Sequence, residues 1–273
     1  MSDFDNNEEA VTSAFSSQAP VFDGLYQHNS IIGYKRERVR KHVERYLQPN
    51  SNILELNSGT GEDAIYFAQQ GHTVKATDIS TGMQQVAKEK IDRLLLGDKL
   101  TYELCSFTNL ESLKKEGLYD HIFSNFAGLN CTDNLESVVN SFERLLQPGG
   151  YVTMVIMPGF CLWESLLLLK GKFETATRRW FTGKGAIAHI EGHYFTCTYY
   201  SAGTVKKYMG PKYELISLEG LCTIVPPSYI ENFAEKHGNL FSWLKKKEDK
   251  YKSRWPWRNM GDYYLITFKK KHI

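Results

Sequence analysis

Along the middle of the chain the apolar positions switch repeatedly between helical spacing and short unbroken runs. From Ser30, which can cap a helix, Ile31, Tyr34, Val39, Val43, Tyr46 and Leu47 recur at helical spacing until Gln48-Pro49-Asn50 breaks the pattern. Ile53, Leu54 and Leu56 then form a compact apolar run, as expected of a buried parallel strand. Asn57-Ser58-Gly59-Thr60-Gly61 interrupts it. Ala64, Ile65, Phe67 and Ala68 return to helical spacing behind Glu62 and Asp63, and Gly71 suits the end of that helix. A second strand over 73–77 ends on Asp78. The same alternation predicts a helix over 81–96, strands over 100–104 and 119–126, a helix over 134–146 and a strand over 151–157. Strands separated by helices imply parallel pairing, hence an α/β doubly wound sheet.

The two ends read differently. Residues 1–20 are polar, Ser-rich and acidic, and are expected to be mobile. Beyond Pro158 the spacing predicts a helix over 160–180, a Gly/Ala-rich loop over 183–192 and a strand over 193–200. A short helix to Met209, a strand over 213–221, a helix over 229–252 and a final strand over 263–268 complete the chain.

Composition narrows the function classes. The 273 residues suffice for one elaborated domain, and a net charge of +2 gives no reason to expect nucleic acid as a partner. Cys105, Cys131, Cys161, Cys197 and Cys222 are dispersed without a C-x-x-C pair, so reduced thiols are expected, with neither a disulfide frame nor a metal site. The acidic start lacks a signal-peptide pattern and no apolar run could span a bilayer, so a cytoplasmic protein free of membranes is expected.

The candidate chemistry lies at the first crossover. A glycine turn between strand and helix lets a ligand approach the backbone, and an acidic residue at the tip of the next strand can accept both hydroxyls of a ribose. Gly59, Gly61 and Asp78 stand in that relation. Gly59-Thr60-Gly61-Glu62-Asp63-Ala64 also satisfies the dinucleotide fingerprint G-x-G-x-x-A. A pyrophosphate seated on this helix start would meet two carboxylates, which favours a ligand without phosphate. No nucleophile elbow, zinc-protease motif or phosphate-binding P-loop occurs.

The stretch Glu55-Leu56-Asn57-Ser58-Gly59-Thr60-Gly61 resembles motif I of the class I S-adenosylmethionine (SAM)-dependent methyltransferases, with Asn57 in place of the first glycine. Asn tolerates left-handed φ better than most residues, so the turn is expected to persist. The loop Phe123-Ser124-Asn125-Phe126-Ala127-Gly128-Leu129-Asn130, and Leu146-Gln147-Pro148-Gly149-Gly150 before a strand, resemble later segments of the same family in the same order. The match spans residues 22–157 and is closest to the small-molecule, ubiquinone-biosynthesis-like kind.

That resemblance implies a Rossmann-like doubly wound sheet of seven strands with an antiparallel last pair. It also implies an N-terminal helical lid (21–50), a SAM-binding core (51–157), a substrate-covering cap inserted after strand five (158–210) and a remainder of the core sheet (211–273). SAM is the implied cofactor, with Glu55, Asn57, Ser58, Gly59, Gly61, Asp78, Ile79, Ser106, Phe107, Asn125 and Phe126 as candidate cofactor-binding residues. Ser106 stands where many relatives place an acidic residue against adenine. The implied partner is a small apolar or aromatic methyl acceptor, with Tyr26, Arg36, Asn130, Phe160, Trp163, Tyr199 and Tyr200 as candidate pocket residues and His193 as a candidate base. Two other readings remain open on the sequence: an NAD-dependent oxidoreductase, and a SAM-binding module without catalysis. Oligomeric state is not legible.

Overall fold

The computed structural model describes residues 3–114, 117–180, 185–230 and 232–272. Seven strands form one sheet: β1 (Asn52–Leu56), β2 (Thr73–Asp78), β3 (Leu100–Leu104), β4 (Tyr119–Ser124), β5 (Leu146–Ile156), β8 (Tyr213–Leu221) and β9 (Tyr263–Lys270). Their order is β3-β2-β1-β4-β5-β9-β8. The first five are parallel, and β9 runs antiparallel to both β5 and β8. This is the doubly wound sheet with an antiparallel last pair that the alternation and the resemblance imply.

Side-chain alternation builds a core on each face. Leu54, Leu56, Ile122, Val152, Met154 and Ile266 point to one side, where α5 (Leu135–Leu145) and α8 (Ala202–Met209) cover them. Ile53, Phe123, Val155 and Leu265 point to the other, against α2 (Ser30–Glu44), α3 (Glu62–Gln69) and Ile91 of α4 (Thr81–Arg93). α2 is capped by Asn29, not by Ser30: the Asn29 side chain accepts from the backbone N–H groups of Ile31 and Ile32, a cap worth about 1 kcal/mol.

The N-terminal segment differs from expectation. Residues expected to be mobile form α1 (Asp3–Tyr26), which continues through Pro20. Val11, Ala14 and Ala19 are buried because α1 packs on α4 and on the cap. Gly82 permits this: a Cβ there would lie 2.7 Å from the Ser16 carbonyl oxygen. Polar residues of α1 face inward as well: Gln18 is buried, Asn7 bonds the backbone of Cys131 and Thr196, and Ser16 bonds Ser80.

The cap differs too. In place of one helix over 160–180 there are α6 (Leu162–Ser165), a 3-10 turn (Leu166–Lys170) and α7 (Phe173–Thr177), separated where Gly171 takes a φ of +71°. The expected loop over 183–192 begins on residues outside those described, but 186–190 are β6 (Ala186–Ile190), paired antiparallel with β7 (His193–Cys197). Their two-residue turn, Glu191-Gly192, has positive φ at both positions, as a tight hairpin requires. Glu there conceals the turn from sequence reading. Near the C-terminus the single helix expected over 229–252 is split into α9 (Phe233–Lys236) and α10 (Gly238–Tyr251), with His237 non-helical between them.

Candidate functional site

The chain reverses its direction of winding between β1 and β4, so the crevice beyond their carboxyl ends is where an open α/β sheet accepts ligands. A cavity of about 870 Å³, partly open to solvent, occupies that place. Its floor is the glycine turn, the tip of β2 and the loop after β4. Val11, Phe15 and Phe22 of α1 form its roof.

The glycine turn is held from below. Gly59 and Gly61 have φ of +56° and +79°, values that favour residues without a Cβ. The Gly59 N–H donates to Asp78 Oδ2 (2.8 Å), and the Tyr102 hydroxyl donates to the Gly59 carbonyl (2.9 Å). Asp78 Oδ1 accepts from the Ser80 N–H (2.9 Å). Burial pushes the Asp78 carboxyl above its ordinary range, against the N–H groups of Ser80, Gly59 and Ile79 that favour its charge. Asp78 lines the cavity, and a carboxylate oxygen that accepts one hydrogen bond keeps acceptor capacity.

Asn57 takes the left-handed conformation (φ 45°) and adds something a glycine cannot. Its Nδ2 donates to the Asn125 carbonyl (2.9 Å) and its Oδ1 accepts from Ser124 Oγ (2.6 Å). The turn after β1 is thereby tied to the loop after β4. Gly128 provides the room, since a Cβ there would stand 2.3 Å from Asn57 Cγ.

Charges cluster at the far end. Asp63 Oδ1 accepts from Arg40 Nε (2.6 Å) and its Oδ2 from Asn125 Nδ2 (2.7 Å). Arg36 reaches Glu62 (3.4 Å), lies over the Phe126 ring at 5.2 Å, and has a buried Nε with no hydrogen-bond partner, the nearest anion being Asp63 Oδ1 at 3.7 Å. Glu55 is 2% exposed and lines the cavity, and no donor reaches its Oε2 among the described residues. Burial and the neighbouring Asp63 raise its carboxyl well above the ordinary range, against Arg40 and Arg36. Lid and floor are joined by Asp23, which accepts from Thr60 Oγ1 (2.6 Å) and pairs with Lys90 (2.5 Å).

Of the candidate cofactor residues, Glu55, Asn57, Ser58, Gly59, Asp78, Ile79, Phe107, Asn125 and Phe126 line this cavity. Gly61 does not line it; it shapes the turn as the residue before α3. Ser106 lies in a smaller adjoining space, with its Oγ accepting from the Thr108 N–H. Of the candidate acceptor residues only Arg36 lines the cavity. Asn130 is buried and bonds the backbone of Met157 and Thr198. The Tyr200 hydroxyl donates to the Thr132 carbonyl inside the core. Tyr199 lies beneath Arg179, Phe160 stacks on Trp180, and Tyr26 and Trp163 are also outside the cavity lining. His193, the candidate base, has its Nε2 3.4 Å from Ser17 Oγ, away from the cavity. Val11, Phe15 and Phe22 of α1, not residues of the cap, roof the cavity.

The roof residues Val11 and Phe15 escaped the sequence reading, although their spacing of four is helical, whereas Phe22 fell within the expected lid. Among the described residues, one group, Cys161, Glu164 and Asp262, has donor atoms close enough for a metal ion. The Arg179 guanidinium already bridges Glu164 (2.7 Å) and Asp262 (2.9 Å) there.

Comparison with known proteins agrees with this geometry. Residues 53–150 match the family model described as a methyltransferase domain. A demethylmenaquinone methyltransferase of Bacteroides fragilis is 28% identical over 151 residues, covering 54% of this chain and 60% of the relative. The match therefore spans well under two thirds of that relative's length. Among solved structures, 1,6-didemethyltoxoflavin-N1-methyltransferase of Burkholderia thailandensis, with its substrate and S-adenosylhomocysteine bound, superposes with a TM-score of 0.57 at 13% identity, covering 100% of this chain and 92% of that one. The [4+2]-cyclase SpnF superposes with a TM-score of 0.55 at 16% identity, covering 86% and 80%. These structural likenesses concern the fold. Residues 53–150 thus match a methyltransferase domain, set in a fold shared with solved methyltransferase structures.

Proposed function

We propose that the cavity binds SAM and that the protein transfers its methyl group to a small, uncharged and largely apolar acceptor. One observation carries the cofactor reading: an incompletely bonded carboxylate and an incompletely bonded guanidinium, Glu55 and Arg36, line the same cavity end. That pair complements an α-amino acid zwitterion, the ammonium toward Glu55 and the carboxylate toward Arg36. Asp78 stands at the tip of β2 with acceptor capacity for ribose hydroxyls, and Ile79 and Phe107 offer apolar surface for a purine. A pyrophosphate on α3 would face Glu62 and Asp63, which argues against a nicotinamide cofactor.

When bound, SAM supplies a methyl group activated by its sulfonium. The chain's own residues then have to hold the acceptor in line, at about 3 Å, and exclude water. Val11, Phe15, Phe22 and Phe126 provide an apolar enclosure for that purpose. The carboxylates of Glu55, Glu62, Asp63 and Asp78 disfavour an anionic acceptor. No histidine lines the cavity among the described residues, so an acceptor nucleophilic without a base fits best. A second reading, cofactor binding without methyl transfer, has support from the likeness to a cyclase.

Thermal shift with S-adenosylhomocysteine, SAM and NAD(H) in parallel tests the cofactor, and stabilisation by the adenosyl compounds alone is expected. Incubation of isotope-labelled SAM with a fractionated metabolite extract tests the acceptor, with label expected in small neutral molecules. Label appearing only in peptide or nucleic acid would remove the small-molecule assignment. Tight binding of S-adenosylhomocysteine with no labelled product from any extract would favour the second reading.

A further inference from the structure

Four carboxyl groups line the cavity and their surroundings differ; Glu62 pairs with Lys90 and Arg36. Asp78 is held by backbone N–H groups at the β2 tip. Asp63, on α3, is matched by the Arg40 guanidinium and the Asn125 amide. Glu55, on β1 between them, has an Oε2 that no donor reaches among the described residues. Arg40 is held by Asp63 and the Glu62 carbonyl, and Arg36 reaches Glu62 and lies over the Phe126 ring with its Nε lacking a hydrogen-bond partner. The groups acting on Glu55 from the elements packed around it are thus Asp63 from α3, Arg36 and Arg40 from α2, and Asp78 from β2. An isolated buried carboxylate is costly, and the usual outcome is that it takes up a proton.

We propose that Glu55 is protonated in the cofactor-free protein and surrenders that proton when the cofactor's ammonium group arrives, so that cofactor binding is coupled to proton release at this one residue. The inference rests on the SAM-site reading. The balance is simple: the Glu55 O–H bond breaks, the proton passes to solvent, and the carboxylate left behind pairs with the ammonium. No electron transfer and no co-reactant are involved. Below the free-protein pKa of Glu55, ammonium and proton compete for one oxygen pair. Affinity then rises with pH, by up to tenfold per unit.

The pKa ordering follows a general pattern: neighbouring acids whose environments differ divide their protons unequally. Here the least solvated and least bonded member is also the one facing the ligand. The coupling confers a physical advantage. The empty cavity avoids adding a Glu55 charge beside Asp63 and Asp78, and the full complement of negative charge develops only when a cation is present to offset it.

The test is calorimetric titration of the full chain with S-adenosylhomocysteine between pH 5.5 and 8, in pairs of buffers with different ionisation enthalpies. Wild type is expected to release up to one proton per ligand bound, and its affinity to rise with pH. Glu55→Gln is expected to bind more weakly, with the proton release abolished and a flat pH profile. Glu55→Asp, which keeps a carboxyl, is expected to retain proton release and so controls for a misfolded Gln variant. Binding by wild type with no proton exchange anywhere in this range would overturn the proposal and leave the cofactor reading standing. Unchanged proton release from Glu55→Gln would also overturn it and assign the proton to Asp78 or to the ligand. No binding of S-adenosylhomocysteine to wild type at any pH would overturn the cofactor reading itself, and this inference with it.

Discussion

At the scale of single residues, Asn57 stands where the resembled motif has a glycine, and the difference has a structural use. Its conformation costs a residue with a side chain something, and two hydrogen bonds across the switch point compensate. Gly128 is its necessary complement, because a methyl group there would collide with the Asn57 amide. Gly128→Ala is therefore expected to destabilise the protein by about 1–3 kcal/mol and to weaken S-adenosylhomocysteine binding. Adding Asn57→Gly should restore part of both losses, as read by urea unfolding and calorimetry; simple additivity in the double variant would disprove the coupling. Asp78→Ala removes the acceptor at the β2 tip and should lower ligand affinity at least tenfold, about 1.4 kcal/mol or more. Cooperative unfolding should persist in that variant. Unaltered affinity would take Asp78 out of the site.

At the scale of elements, α1 matters most to the site and was least legible. Its apolar residues are interleaved with as many Ser, Asn and acidic ones. Only partners distant in sequence make its apolar stripe worth burying: α4 through the gap at Gly82, and the β6–β7 hairpin through Phe195 and Cys197. Gly82→Ala separates these effects. As a helix substitution by itself it favours α4 by about 1 kcal/mol, yet its Cβ falls 2.7 Å from the Ser16 carbonyl. Undocking of α1 is expected, seen as faster proteolysis within residues 3–26 and weaker ligand binding, while the unfolding temperature of the core changes little. Resistance to proteolysis equal to that of wild type would show that the α1–α4 contact is not what holds the lid.

At the scale of the whole molecule, a buried polar chain crosses the sheet. His121 of β4 bonds Thr153 of β5 (3.0 Å), Thr153 bonds Thr267 of β9 (2.9 Å), and Thr267 bonds His42 of α2 (2.8 Å). Burial, with the charges of His42 and His72, depresses the His121 imidazole to about 3. The unfolded chain then binds more protons than the folded one between about pH 6.5 and that value. Stability from this group is present above about pH 6.5 and is lost as pH falls, with a limiting slope of about 1.4 kcal/mol per unit. Glu219 is also depressed, by His42, Lys252 and Arg38 against its burial, but it loses its contribution only below the ordinary carboxylate range. His72 is lowered as well and Glu55 is raised, so urea unfolding at pH 7 and pH 5 is read by difference from a His121 variant. His121→Gln should show a smaller loss between those two values than wild type, and an equal loss would exclude His121 as the source.

What the sequence determined was whatever short-range patterning can encode. The strand–turn–helix order, the glycine turn, the acid at the β2 tip and the loop after β4 all stand in one local register, and nine of the eleven cofactor residues anticipated from it line one cavity. The sheet order follows from the same alternation together with the family resemblance. What only the tertiary structure decided was what covers that crevice. A helix of mixed polarity docks, a cap helix breaks at Gly171, and a hairpin turns on Glu191 because of contacts made by residues far apart in the chain. Local propensity carries no record of such contacts. The aromatic residues of the cap therefore suggested an acceptor pocket by composition, while the enclosure came from α1, whose burial depends on surfaces that exist only once the sheet has formed.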